Sequence, residues 1–131
     1  MVTKILVVDD ESQIRFIVRK MLEDAKYEVI EAKTGEECLE ILEREKVDLV
    51  LMDIMMPGIN GWEATKKIKE DPATKELPIA MLTVLTEEGD KVKSFEEAFA
   101  DAHITKPIIM EKMLGTIEWL LNNAPKRDQQ R

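Results

Sequence analysis

The chain has 131 residues, of which 44% are apolar and 35% charged, the composition of one folded domain and not of a disordered segment. No apolar run approaches the roughly 20 residues that cross a membrane, and the start, Met1-Val2-Thr3-Lys4-Ile5, lacks the apolar stretch of a signal peptide. Nineteen basic against 27 acidic residues give a net charge of −8, which argues against nucleic acid as this domain's ligand, because phosphate binding needs clustered Lys and Arg. Cys38 and His103 are each alone. An internal disulfide, a cysteine-built metal cluster and a multi-histidine zinc site are therefore excluded.

Two kinds of segment alternate along the chain. Ile5-Leu6-Val7-Val8 is a short apolar run followed at once by Asp9-Asp10, as in a buried parallel strand with a polar end. Over residues 12–25, Ile14, Ile17, Val18, Met21, Leu22 and Ala25 fall at helical spacing, with Ser12 as the expected cap. Tyr27 to Glu31 reads as a second strand. Thr34-Gly35-Glu36-Glu37 has the form of a capping box, and Cys38, Leu39, Ile41 and Leu42 follow as an apolar stripe. Val47 to Met52 reads as a third strand, ending at Asp53. Met56-Pro57-Gly58-Ile59-Asn60-Gly61 is loop chemistry. A helix over Trp62 to Glu70 ends at Asp71-Pro72. Pro78 to Leu82 is a fourth strand, ending at Thr83. A fourth helix is expected over 87–100, with Val92, Phe95 and Phe99 on one side. His103 to Thr105 is a short fifth strand ending at Lys106-Pro107. Met110 to Asn122 is a fifth helix. Cys38, Met52, Met81, Met110 and Met113 are expected in the core.

Strands alternating with helices predict a doubly wound α/β fold, a five-stranded parallel sheet with five helices. The domain is expected to run from 1 to 124, with 125–131 a polar tail or linker stump.

The chemistry-bearing residues stand where strands end. Asp9 and Asp10 follow the first strand, Asp53 the third, Thr83 the fourth and Lys106 the fifth. In an open parallel sheet these ends converge on one crevice beside the topological switch point. Three acids brought together repel one another, and a proton or a cation relieves the repulsion. Mg²⁺ suits such oxygen ligands. Lys106 cannot ligate a metal but suits a phosphoryl oxygen as a point charge, and the Thr83 hydroxyl can donate to another. Asp53, between the acid pair and the Thr–Lys pair, is the natural nucleophile for an aspartyl phosphate.

Val7-Val8-Asp9-Asp10-Glu11, then Asp53-Ile54-Met55-Met56-Pro57-Gly58-Ile59-Asn60-Gly61, then Thr83, then Thr105-Lys106-Pro107 resembles the receiver domain of two-component response regulators, of the single-domain, chemotaxis-regulator-like type. The likeness covers residues 4 to about 123. Each piece alone is weak; the five in order, each at a strand end, are specific. The resemblance implies a flavodoxin-like sheet of order 2-1-3-4-5. It also implies phosphotransfer to Asp53 from a sensor histidine kinase or phosphotransfer protein, with Mg²⁺ held by Asp10, Asp53 and the Met55 carbonyl, and by Asp9 through water. Thr83 and Lys106 would contact the phosphoryl group. Movement of Thr83, coupled to the residue at His103, would alter the face of the fourth helix, fifth strand and fifth helix for a downstream effector protein. Such a domain is a switch, with weak self-phosphorylation by small phosphodonors, more than an enzyme. The expected compartment is the cytoplasm, with no membrane insertion. Whether phosphorylation drives dimerisation stays open, as does whether the chain stands alone or is a receiver from a longer protein.

The chain departs from the family pattern in places. His103 stands where Tyr or Phe is usual, and its charge varies near neutral pH. Phe99 precedes Ala100-Asp101 where a glycine is usual, so the expected fourth helix ends without a residue that turns left-handed cheaply. Met55, Val84 and Leu85 are apolar or bulky where relatives carry polar or small groups. An acyl phosphate is hydrolysed by a positioned water, so these residues predict a long-lived phosphorylated form. Other readings fit less well. A haloacid-dehalogenase-type phosphatase places its nucleophile after the first strand. A flavodoxin needs a Ser/Thr/Gly-rich loop where this chain has Asp-Asp-Glu. A degenerate interaction module would not retain all five residues.

Overall fold

The structure, a computed structural model, describes residues 2–83 and 100–123. Five strands, β1 (Lys4–Val8), β2 (Glu28–Ala32), β3 (Leu49–Asp53), β4 (Ile79–Thr83) and β5 (Ala102–Thr105), form one sheet in the order β2-β1-β3-β4-β5. All four pairings are parallel, with Ile5 opposite both Val29 and Leu49, Met52 opposite Met81 and Thr83 opposite Thr105. Among the described residues the helices are α1 (Ser12–Asp24), α2 (Gly35–Arg44), α3 (Gly61–Glu70) and α4 (Met110–Asn123). The expected sheet and order are the observed ones. The expected fourth helix over 87–100, apart from Ala100, which is buried and not helical, lies outside the described residues, as do Val84, Leu85, Phe99 and the tail 125–131.

The apolar runs are continuous because the inner strands are covered on both faces. Leu6, Val8, Val50, Met52, Ile79 and Met81 face one core with Cys38 and Ile41 of α2 and Ala64 and Ile68 of α3. Their chain neighbours Ile5, Val7, Leu49, Leu51, Ala80 and Leu82 face a second core with Val18 and Leu22 of α1 and Met113, Ile117 and Leu120 of α4. The period of two along each strand thus divides each apolar run between two layers.

Local chemistry starts the helices, with differences from expectation. At α2, the Thr34 hydroxyl accepts the Glu37 N–H at 3.0 Å, but the Glu37 carboxylate takes the Lys33 N–H at 2.6 Å, one residue earlier than a full box requires. The complete box is at α3, where Asn60 Oδ1 accepts from Glu63 N and Glu63 Oε1 from Asn60 N. Ser12 does not cap α1. The flanking residue is Glu11, without a side-chain cap bond, and its own N–H is taken by Asp9 Oδ1 at 2.9 Å. Met110, expected in the core, is exposed at the first residue of α4, and Ile17 of the helical stripe is exposed on α1. β5 pairs with β4 from Ala102 to Thr105, and Asp101 ties both to α3. Its carboxylate accepts from Ile79 N and from Lys69 Nζ, each at 2.8 Å.

Candidate functional site

The carboxyl ends of β1, β3, β4 and β5 lie side by side, and the sheet sets the spacing of what they carry. Asp9 follows β1 directly, its N–H donating to the Ala32 carbonyl at 3.1 Å. Asp53 is the last residue of β3, and the next residue, Ile54, donates its N–H to Leu82 O at 3.3 Å. Thr83 is the last residue of β4, and its carbonyl accepts the Lys106 N–H at 2.8 Å. The adjacency of these strands brings together groups up to 97 residues apart in sequence.

Lys106 Nζ sits between two buried carboxylates, 3.0 Å from Asp9 Oδ2 and 3.2 Å from Asp53 Oδ1. Carboxylate oxygens of Asp9, Asp10 and Asp53 all lie within 4.8 Å of one another. Asp9 and Asp53 are buried, whereas Asp10 is exposed at the mouth. Burial pushes Asp53 up to about 6, and the Asp9 charge adds to it; Lys106 and the Met55 N–H pull the other way. Burial disfavours the Lys106 charge, but its bond to Asp9 and the two acids outweigh this and hold its pKa above the ordinary range. Three acids faced by one ammonium leave an excess of negative charge. Closely grouped hard oxygens with that excess fit a divalent cation such as Mg²⁺.

The loop after β3 is shaped by glycine. Gly58 has φ +76°, and a Cβ there would meet the Glu36 carboxylate at 2.8 Å. Gly61 lies directly on the Asp53 backbone, and a Cβ there would overlap the Asp53 carbonyl oxygen and stand 2.8 Å from Ile54 Cα. Its N–H closes the loop on Ile54 O at 2.9 Å. Met55 is 68% exposed, whereas Met56 folds into the core.

Of the residues expected from sequence, Asp9, Asp10, Asp53 and Lys106 are joined into one cluster. Met55 touches it through its backbone N–H. Thr83 adjoins it, buried, on the neighbouring strand end. His103 lies three residues before Lys106 on β5, opposite Met81. It lines a groove of about 810 Å³ between β5 and α4 that reaches from Lys106 to Trp119. Arg15 was not expected. It is 7% exposed, donates from Nη1 to the Asp9 carbonyl at 2.6 Å, and donates from Nε to Glu31 Oε1 at 2.8 Å. The available signal was its place on the face of α1 that carries Val18 and Leu22. A buried arginine there calls for an acidic partner, and Glu31 on β2 supplies it.

A doubly wound sheet of this order with an acid-and-lysine pocket at its switch point defines the class of protein. Residues 5–118 match the family of the response regulator receiver domain, and the chain belongs to that family. It is 42% identical over 122 residues to the transcriptional regulatory protein ResD of Bacillus subtilis, matching 93% of this chain and 49% of ResD. It is 36% identical over 118 residues to the protein PilH of Pseudomonas aeruginosa, matching 90% of this chain and 97% of PilH. The chain thus spans about half the length of ResD and nearly all of PilH. Among solved structures, the chemotaxis protein CheY4 of Vibrio cholerae superposes with a TM-score of 0.86 at 32% identity, over 92% of this chain and 99% of that one. No helix among the described residues is long and apolar enough to cross a membrane.

Proposed function

We propose that Asp53 accepts a phosphoryl group from a phosphohistidine of a sensor kinase or phosphotransfer protein. A carboxylate oxygen of Asp53 would form the new bond to phosphorus as the phosphorus–nitrogen bond breaks, and the imidazole would leave with its electron pair and take up a proton. The observation that carries this reading is the Asp53 carboxylate at the sheet's carboxyl end, 3.2 Å from Lys106 Nζ and grouped with Asp9 and Asp10. Lys106, now shared between Asp9 and Asp53, would turn to a phosphoryl oxygen and balance its charge. The Thr83 hydroxyl would donate to another. The carboxylates of Asp10 and Asp53 and the Met55 carbonyl would hold Mg²⁺, with Asp9 assisting through water. When bound, the cation neutralises charge on the transferring oxygens.

The pairing of Thr83 with β5, and the groove from Lys106 past His103 to Trp119, support a readout on the β5–α4 side, where an effector protein would bind. The cytoplasm, where kinase and phosphodonor meet, is the proposed setting, and the receiver unit is proposed to extend over 1–124. Met55, an apolar residue whose backbone N–H meets Asp53, supports slow hydrolysis of the aspartyl phosphate.

Intact mass after incubation with acetyl phosphate, with and without Mg²⁺, tests the reading. One phosphoryl group is expected, dependent on Mg²⁺ and absent in Asp53→Asn. Its decay over hours rather than seconds is the expected lifetime. Failure to gain the group from acetyl phosphate and from a phosphorylated histidine donor alike would sink the reading.

A further inference from the structure

Asp10 is the member of the acid cluster that no side chain among the described residues holds. Asp9 and Asp53 share Lys106, and Asp53 also accepts from the Met55 N–H. Among the described residues the Asp10 carboxylate has no hydrogen bond or ion pair, and it is exposed. A cation ligand with a free side chain must gain its direction from the backbone. Both peptide units that flank Asp10 are pinned. The unit before it ends in the Asp9 carbonyl, which accepts Arg15 Nη1 at 2.6 Å. The unit after it carries the Glu11 N–H, which donates to Asp9 Oδ1 at 2.9 Å. The guanidinium is fixed in turn. Its Nε donates to Glu31 Oε1, while the other oxygen of Glu31 accepts Arg19 Nη1 at 2.6 Å, and Arg19 Nε reaches Glu23. The planar fork of arginine can serve a carbonyl and a carboxylate at once, which an ammonium cannot do in the same geometry.

We infer that Arg15 is a positioning residue for divalent-cation binding: by clamping the Asp9 carbonyl it sets the 9–10 peptide plane and so aims the Asp10 carboxylate. The inference rests on the phospho-acceptor reading above. It has a distinctive sign. Arg15 is a cation close to the acid cluster, so electrostatics alone predict that its removal tightens Mg²⁺ binding. Positioning predicts that removal weakens it. Arg19 separates the two effects. It belongs to the same ion-pair chain and carries the same charge, but it does not touch the Asp9 carbonyl.

The test is calorimetric titration with MgCl₂ of the wild type, Arg15→Met, Arg15→Lys and Arg19→Met, with thermal midpoints measured in parallel. Removing a partner that orients a metal ligand costs about 10-fold or more in affinity. Arg15→Met is expected to weaken Mg²⁺ binding about 10-fold, Arg15→Lys to fall between it and the wild type, and Arg19→Met to bind as tightly as the wild type or tighter despite a lowered midpoint. Wild-type or tighter affinity in Arg15→Met overturns the inference, as does equal weakening in Arg19→Met. If Arg15→Met does not fold, Arg15→Lys decides, with weakened binding in support and wild-type affinity against. A wild type that binds no Mg²⁺ and gains no phosphoryl group removes the functional reading itself, which is a different result from a functional wild type with an indifferent Arg15.

Discussion

Asp53 is held in a place that opposes its charge. Burial and the Asp9 carboxylate raise it to about 6, so the folded protein keeps a proton there at pH values where the unfolded chain has lost it. Stability depends on pH through the difference in bound protons. Here the native state binds more, so without a cation stability falls as pH rises from the ordinary carboxylate range through about 6, and the full cost stands above it. Asp53→Asn removes the charge and keeps an oxygen for Lys106, which retains Asp9 as its partner. The variant is expected to be more stable than the wild type at pH 7.5 in EDTA, by on the order of 2 kcal/mol, and to lack the decline between pH 4 and 7. Urea unfolding across that range measures both. A variant less stable than the wild type at pH 7.5 would show that Lys106 outweighs the burial of Asp53. Cys38 illustrates the opposite case of a reactive group made inert. Burial drives its thiol up to about 12, so native protein at pH 8 is expected to resist iodoacetamide until denatured, with rapid labelling of the native form the contrary result.

Between elements, the decisive contact is the loop after β3 folding back on its own strand. Gly61 N–H closes on Ile54 O, and the Gly61 α-carbon lies so close to Asp53 that any side chain would overlap its carbonyl. The obstacle is backbone of the strand that carries Asp53, so relief must move Asp53 itself. Gly61→Ala is expected to cost about 1–3 kcal/mol and to slow phosphorylation more than that loss explains; an unchanged phosphorylation rate in the folded variant would show that the loop can give way elsewhere. The sequence announced a glycine-rich loop here without this reason, because the reason is a contact between two elements. The capping residues show the same divide. Thr34 was legible as a cap from its own neighbours, and Asn60 obeys the same rule within a stretch that otherwise reads as loop. At α1 the local signal was Ser12, but the turn is held by Asp9, ahead of the helix, whose carboxylate accepts the Glu11 N–H and whose carbonyl accepts Arg15 of the helix itself. Strand ends shifted by a residue or two for a similar reason. Asp53 and Thr83 continue the ladders of β3 and β4 because their backbones pair with neighbours, although their polar side chains look like the start of a loop.

For the whole molecule, a parallel sheet covered on both faces was legible because each apolar run is short, continuous and followed by a polar residue, whereas the strand order came from the resemblance to the receiver family. The same pattern placed Asp9, Asp53, Thr83 and Lys106 at one end of the sheet. The support behind Asp10 was not legible, since Arg15, Glu31 and Arg19 come from two elements and resemble solvated charges when read singly. This division of labour has a thermodynamic consequence. The fold assembles three acids against one lysine, a repulsion that the unfolded chain does not have. A cation that binds only the folded state stabilises it by mass action, by about 2.7 kcal/mol at a hundredfold excess over its Kd, or on the order of 10 °C for a domain of this size. The thermal midpoint is therefore expected to rise with MgCl₂ and to respond little to KCl at matched ionic strength. Asp10→Asn isolates the site from the fold, because Asp10 is exposed and carries no ion pair among the described residues. The variant should match the wild type in EDTA and lose most of the Mg²⁺-dependent rise. If Asp10→Asn instead keeps the full rise, the cation is held by the buried pair Asp9 and Asp53 alone, and the exposed acid at the mouth has no part in binding it.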